Sequence, residues 1–443
     1  MWTLHVEDFA GIEKADIEVS PLTLFVGDNN SGKSYLLSLI YGLMCADDVL
    51  SDLCEDSAEY RACAEWLEKA LEQGKQSESD DEEIPFDDYA YAIFESLFNH
   101  ILECNRDSIL KSIFKQDISI GKFSVTFQRR TDEMLSVYNA VMVNFPFAVY
   151  PPYIFNEKAD RQQVIYELLR LLLQALIKQG DPDEQICFLP TSRTGFLLTY
   201  PALAKDAFVR AYGPNKRRKV DLSLIKPFTD FLGNLTTVNV DDISETYQPI
   251  IGFMERHIIH GKILVSNDLP LPEFYYLPEN METSLPMYLS SDVVKEIAPL
   301  ILILQYKVVD ALFIEEPEMS LHPKLQQMMA RTLIKLVNAG TPVFAATHSD
   351  TILQHVNNMV KLNNLPEARK RTLAERFGFD PDDPISADKI SVYQFDGQDN
   401  GKTAVRALSH GDYGFGVPTF YDPLEKIMEQ TQATEPDAEE YED

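Results

Sequence analysis

Short, unbroken apolar runs alternate with segments of helical period along this chain. Leu22-Thr23-Leu24-Phe25-Val26, Cys187-Phe188-Leu189, Ala311-Leu312-Phe313-Ile314 and Val343-Phe344-Ala345-Ala346 are too short for helices and have no polar face. They read as strands buried on both sides, the pattern of a largely parallel sheet. Lys122–Phe127 alternates in period two and returns to that sheet, as does the late run Ile390–Phe395. Between them, Tyr35, Leu36, Leu39, Ile40 and Leu43 keep helical spacing, and Val164–Ile177 and Ile297–Tyr306 read as buried helices. The expected class is α/β, a mixed sheet flanked by helices, with helical insertions.

The pattern divides the chain. Residues 1–199 form a first lobe, interrupted at about 45–115 by an acidic helical insertion that breaks near Gln76–Pro85. Tyr150-Pro151-Pro152-Tyr153 is a further break. Weaker patterns at 200–285 read as a mostly helical arm, with Phe274–Leu277 as a strand leading out of it. Residues 286–425 form a second lobe, and 426–443 an acidic, disordered tail.

The first buried strand runs into Gly27-Asp28-Asn29-Asn30-Ser31-Gly32-Lys33-Ser34, and a helix follows. This is a phosphate loop in its proper strand–loop–helix setting. Its N–H groups, from Asn29 through Tyr35, would cradle phosphate oxygens at a helix N-terminus. Lys33 would bridge the β- and γ-phosphates, and Ser34 would hold Mg²⁺. The strand Ala311–Ile314 ends in Glu315-Glu316-Pro317-Glu318. Carboxylates at that place suit metal binding, for Glu315, and orientation of the attacking water as a base, for Glu316. Glu318 reads as a surface acid or one that supports the other two. The next strand ends in Thr347-His348-Ser349, which sets His348 beside the carboxylates if the strands are parallel.

In order along the chain, these motifs resemble an ATP-binding-cassette (ABC) ATPase head. Gly27–Ser34 is similar to the Walker A loop, Leu312–Glu316 to the Walker B strand, and His348 to the switch histidine. Ser320-Leu321-His322-Pro323 resembles the D-loop of the OLD (overcoming lysogenization defect) branch, and Leu4–Ile12 the opening strands of RecF, SMC-like and OLD ATPases. The resemblance implies ATP and Mg²⁺ as ligands. It also implies a homo-oligomer in which a signature element reaches the other subunit's nucleotide. Ser290 and Ser291, ahead of an apolar helix, stand at that place, with Asp292 where a small residue is common. Ser291 also reads as an N-cap, and the two uses are compatible. Arg193, in Pro190-Thr191-Ser192-Arg193, either pairs with a phosphate or acid near the site or anchors its turn.

Charge narrows the partners. Lys and Arg total 39 against 70 Asp and Glu, a net charge of −31. Acid runs at Ser77–Glu83 and Thr434–Asp443 contribute, but the remainder is acidic too. Such a field opposes casual binding to DNA or an anionic membrane and favours a basic partner. DNA contact is left open, because Lys216-Arg217-Arg218-Lys219 forms a basic spot, read foremost as a solvated loop. Five cysteines without CxxC spacing point to free thiols in a reducing cytosol. The opening MWTLHVEDF is a strand pattern and not a signal peptide, and Leu168–Ile177 is too short to span a bilayer, so a cytoplasmic protein without a membrane partner is expected.

Within the resemblance, an OLD-type nuclease would add a TOPRIM domain. Little chain follows the late strand, and the DxD of Asp380-Pro381-Asp382 has no apolar strand before it. A head without its nuclease resembles the ATPase subunits of two-gene antiphage systems, AriA of PARIS first and PtuA of Septu second. That implies an ATP-dependent sensor or scaffold that holds a separate toxic nuclease and answers a phage trigger protein. The alternative is a RecF- or SMC-like DNA repair ATPase.

Overall fold

The computed structural model describes residues 2–45, 49–76, 82–129, 134–138, 142–144, 153–154, 160–178, 185–200, 202, 224–240, 243–267, 271–411 and 414–434. The break at Tyr150–Pro152, the basic spot at 216–219 and the tail beyond Thr434 lie outside the described residues.

One nine-stranded sheet organises the chain. Its strands are β1 (Trp2–Phe9), β2 (Ile12–Glu18), β3 (Leu22–Gly27), β4 (Lys122–Phe127), β5 (Gln185–Leu189), β6 (Val309–Glu315), β7 (Val343–Ala346), β8 (Ile390–Gly397) and β9 (Thr403–Leu408). Their order is β4-β1-β2-β9-β8-β3-β7-β6-β5. From β8 to β5 every neighbouring pair is parallel. The other half is an antiparallel meander in which only β9 and β2 run parallel. The late hairpin β8–β9 inserts between β3 and β2, so the strand that carries the phosphate loop pairs with residues some 370 positions away.

The parallel strands are mostly apolar because both faces are covered, with Thr23 and Gln394 among the polar side chains they bury. On one face, Phe25, Phe188, Phe313 and Phe344 pack under the helix Lys33–Met44 and the insertion helices. Phe313 and Phe344 stack at 4.3 Å, and Tyr41 of that helix meets Phe188 and Phe313 edge-on. The opposite face, with Leu24, Leu312, Ile314, Val343 and Ala345, lies against the helices Asp292–Tyr306, Pro323–Asn338 and Asp350–Asn363. The insertion is helical as expected, as Ala58–Gln76, Asp88–Cys104 and Arg106–Phe114, with a short strand at Glu82–Pro85.

Two expectations change in detail. The described part of the 200–285 segment, read as a mostly helical arm or insertion, packs on the second core. Its helices Lys226–Thr236 and Gln248–Met254 bury Phe231, Leu235 and Met254 in the second core, and a small antiparallel sheet of Gly261–Ser266, Glu273–Pro278 and Leu285–Pro286 follows. The segment expected to be disordered from 426 is helical up to Thr434, as the end of the helix Pro418–Thr434. Its residues are good helix formers, and all nine of 426–434 are exposed.

Asp380 and Asp382 of the DxD sequence belong to a charge cluster. Arg331 pairs with Asp383 at 2.7 Å and Asp380 at 3.1 Å, while Lys335 reaches Asp380 at 2.9 Å and Asp382 at 2.5 Å. Asp383 is fully buried. Removing one partner of a buried pair strands the other in a low dielectric. Asp383→Ala is therefore expected to cost about 3–5 kcal/mol of stability, read as a lowered denaturant midpoint at unchanged slope.

Candidate functional site

Because β3, β7, β6 and β5 are parallel, their C-terminal ends open on one edge of the sheet, where ligands of α/β folds collect. Gly27 ends β3, Glu315 ends β6, Thr347–Ser349 follow β7, and Pro190–Arg193 follow β5. The sequence motifs meet at this edge, with a single strand between Gly27 and Glu315.

The loop after β3 has the backbone its glycines allow. Gly27 sits at φ +122°, and a Cβ there would lie 2.2 Å from the Phe395 carbonyl oxygen. No other residue fits that approach. Gly32 at φ +90° turns the chain into the helix Lys33–Met44, whose first turn carries no acid, so its positive end is left for an anion. Asn30 also adopts a left-handed φ of 59°. Asn29, Asn30, Ser34 and Tyr35 are exposed along the loop and helix start. Tyr35 rests against Phe114 at 5.8 Å.

Lys33 is buried, and its ammonium donates to the carbonyls of Gly27 and Asp28 and to the Ser31 hydroxyl. Burial pulls its pKa down to about 8, against the opposing pull of Asp28, Glu316 and Glu318. His348 is held on the other side of the loop. Desolvation first, and then the Lys33 charge, lower its pKa, while the Gly27 backbone within hydrogen-bonding reach opposes them. At neutral pH the imidazole is therefore uncharged, fit to donate one hydrogen bond.

Three carboxylates stand apart in their partners. Glu315 is buried, and both donors of Thr191, its N–H at 3.1 Å and its hydroxyl at 3.3 Å, go to Oε2. Glu318 is neither a surface acid nor free. It accepts from the Thr347 hydroxyl at 2.7 Å and from the His348 N–H at 2.6 Å, so it fixes the start of the histidine turn. Burial raises its pKa. Glu316 has the unusual backbone, a left-handed φ of 42°, with its N–H bound to the Ala346 carbonyl at 2.8 Å.

Arg193 both anchors its turn and pairs with an acid. It is buried and donates to the Glu315 carbonyl at 2.7 Å, the Glu316 carbonyl at 3.2 Å and the Pro190 carbonyl at 3.2 Å. Its charge is met by buried Glu296 at 3.2 Å. Burial lowers its pKa, and Glu296 leads the opposing carboxylates. Sequence reasoning assigned no role to Glu296 or Thr191, although both lie in stretches that it singled out. Their only signal was position, one on the helix after Ser291 and one beside Arg193.

Ser290 and Ser291 differ. Ser290 is buried, and its hydroxyl donates to the Met287 carbonyl at 2.7 Å. Ser291 is exposed and caps the helix Asp292–Tyr306 by accepting from the Val294 N–H. Asp292 points to solvent and pairs with Lys295 at 2.8 Å. The two serines lie away from this subunit's own phosphate loop in sequence and element, beside exposed Tyr288 and Leu289.

A left-handed φ costs a residue with a Cβ about 1–2 kcal/mol. Glu316→Gly is accordingly expected to be more stable than Glu316→Ala by about 1 kcal/mol, although both remove the carboxylate. Equal denaturant midpoints for the two variants would show that the turn is unstrained.

Comparison with known proteins places a likeness on one part of this site. Residues 233–353 match an AAA ATPase domain family, a stretch that holds Ser291, Glu296, Glu315, Glu316 and His348 but not the phosphate loop. No curated protein matches the chain. Among solved structures, it is similar to an SMC head bound to the C-winged helix domain of ScpA (13% identity, TM-score 0.39, 92% of this chain and 97% of that one). It is also similar to a Pyrococcus furiosus Smc head domain with an extended coiled coil bound to the C-terminal domain of ScpA (12%, 0.36, 98% and 100%). A third is the SMC head domain from Thermotoga maritima (10%, 0.34, 92% and 98%). No described helix is long and apolar enough to cross a membrane.

Proposed function

We propose that the chain is an ABC-type ATP hydrolase whose nucleotide state controls a separate protein. One observation carries the reading. A buried lysine, a helix N-terminus without acids, a carboxylate pair and an uncharged histidine converge on one sheet edge. The residues suit Mg²⁺-ATP. Lys33 spends its donors on its own loop's carbonyls and has a depressed pKa, the state of a cation short of an anion. Ser34 and Glu315 would hold Mg²⁺, which would neutralise charge between the phosphates. The N–H groups of Asn29 through Tyr35 bind and orient the phosphates. Glu316 takes the proton of the attacking water, and His348 donates to the γ-phosphate. Arg193 is a positioning residue, since it fixes the carbonyls on which Glu315 and Glu316 are carried.

The second ligand set comes from a second subunit. Ser291 is exposed at a helix N-terminus, and Tyr288 and Leu289 beside it are apolar and exposed, which suits a face covered by another copy. The biological role rests on the resemblance to AriA of PARIS: an ATP-dependent scaffold in antiphage defence that holds a toxic nuclease until a phage protein triggers it. Asp380 and Asp382 are engaged by Lys335, which argues against their serving as a nuclease metal set. A net charge of −31 favours a basic effector.

Glu316→Gln is expected to bind ATP normally, reduce turnover by at least about 100-fold and accumulate ATP-bound oligomers on size exclusion. Normal steady-state hydrolysis by this variant would remove the base assignment. Affinity for ATP should fall as pH rises through about 8, where free Lys33 loses its proton. Below that value the ammonium is already charged and the affinity levels off. Calorimetry in buffers of different ionisation heat should show proton uptake on binding above pH 8, absent in Lys33→Ala. Pull-downs with Glu316→Gln as bait should recover a stoichiometric basic protein. Recovery of no protein, with tight salt-sensitive DNA binding in its place, would instead support a RecF- or SMC-like repair ATPase.

A further inference from the structure

The cysteines lack metal-binding spacing in sequence, yet the fold gathers two of them. Cys54 lies in the turn before the helix Ala58–Gln76, and Cys104 is the last residue of the helix Asp88–Cys104. His100 stands four residues earlier on that same helix, hence on the same face. Cys54 Sγ, His100 Nε2 and Cys104 Sγ all lie within 4.8 Å of one another, with 3.4 Å between the imidazole nitrogen and the Cys104 sulfur. Tetrahedral zinc with ordinary Zn–S and Zn–N bonds needs ligand separations of roughly 3.5–3.8 Å. The set is therefore nearly closed on an ion without backbone movement.

Three further observations organise these atoms. His100 Nδ1 lies 3.9 Å from the Glu59 carboxylate, a partner on the side away from the thiols that a small side-chain rotation would bring into hydrogen-bond reach. Cys54 has a left-handed φ of 55°, rare for a residue with a Cβ, and its N–H is held by the Asp52 carboxylate at 2.8 Å. Asn105 ties this loop to the helix end, donating to the Asp52 carbonyl at 3.1 Å and approaching the Cys54 sulfur at 3.9 Å. The other acidic group close enough to hold an ion among the described residues, Asp380–Asp382–Asp383, is already filled by Arg331 and Lys335.

We propose that Cys54, His100 and Cys104 bind one Zn²⁺ per chain, with a fourth position open to water. Two thiols and a neutral imidazole are the borderline-soft donors that zinc takes. Both thiols lose their protons to solvent as the Zn–S bonds form, so the bound ion is balanced by two thiolates. The ion clamps the 52–57 turn to the helix Asp88–Cys104. That helix in turn grips the main sheet, through reciprocal hydrogen bonds between Asn99 and Val125 of β4. The site is independent of the nucleotide reading.

The test uses the full chain, stripped by chelator under a non-thiol reductant and titrated with Co²⁺ and then Zn²⁺. One equivalent of Co²⁺ should give thiolate-to-cobalt charge-transfer absorption that Zn²⁺ abolishes, and Zn²⁺ should raise Tm. Cys104→Ser, at an exposed helix end, should keep the metal-free circular dichroism and Tm but lose the band and at least about 100-fold in affinity. Glu59→Gln should keep the band and weaken binding by about 10–100-fold. Cys63→Ser and Cys187→Ser should bind as the parent does. Absence of charge-transfer absorption in the parent, or zinc affinity unchanged in Cys104→Ser, would overturn the proposal. So would a Cys54–Cys104 disulfide in the intact protein mass with no zinc recovered.

Discussion

The sheet's parallel half is buried on both faces, and the rest of the molecule follows from that. Strands covered on both sides carry few charged side chains along their length. Polar chemistry is pushed to their ends, and parallel direction puts those ends together. The loops after β3, β5, β6 and β7 thus meet without any long-range design of their own. Arg193 then locks three of these elements. Its guanidinium fork binds carbonyls after β5 and at the end of β6, and Glu296 supplies the counter-charge from the helix Asp292–Tyr306. A lysine could not span that set, since it lacks the planar array of donors.

Lys33 and Arg193 are buried cations, and carboxylates surround both. Arg193 is fully matched by backbone carbonyls and Glu296, so its environment is closed. Lys33 is met by its own loop's carbonyls, the Ser31 hydroxyl and more distant acids. The two cations sit at the same sheet edge, and they differ in their partners.

Most of this was legible in local sequence. The apolar runs at 22–26, 311–314 and 343–346 identified buried strands because double-sided burial leaves no other pattern. Gly27 and Gly32 fall where positive φ is needed. What was hidden is what depends on distant pairing. Glu296 looks like any helix acid until the fold brings Arg193 to it across about a hundred residues. The inward turn of the Ser290 hydroxyl depends on a carbonyl three residues back. Cys54 and Cys104 are separated by fifty positions and share no motif, so spacing rules pass over them. The helix at 426–434 runs against its acidic surroundings, where composition alone suggested disorder.

The insertion of β8–β9 between β3 and β2 bears on how the chain is made. A ribosome delivers β1 to β3 well before the hairpin, so two sheet edges stand unpaired while the intervening residues are made. Unpaired edges of apolar strands are templates for association with other chains. The Phe395 carbonyl that packs against Gly27 and accepts from the Asp28 N–H is also absent until then. The loop cannot take its final shape before that hairpin has been made. Truncated products would carry the motif without the grip, and the same exposed edges would mark them for chaperones or proteases.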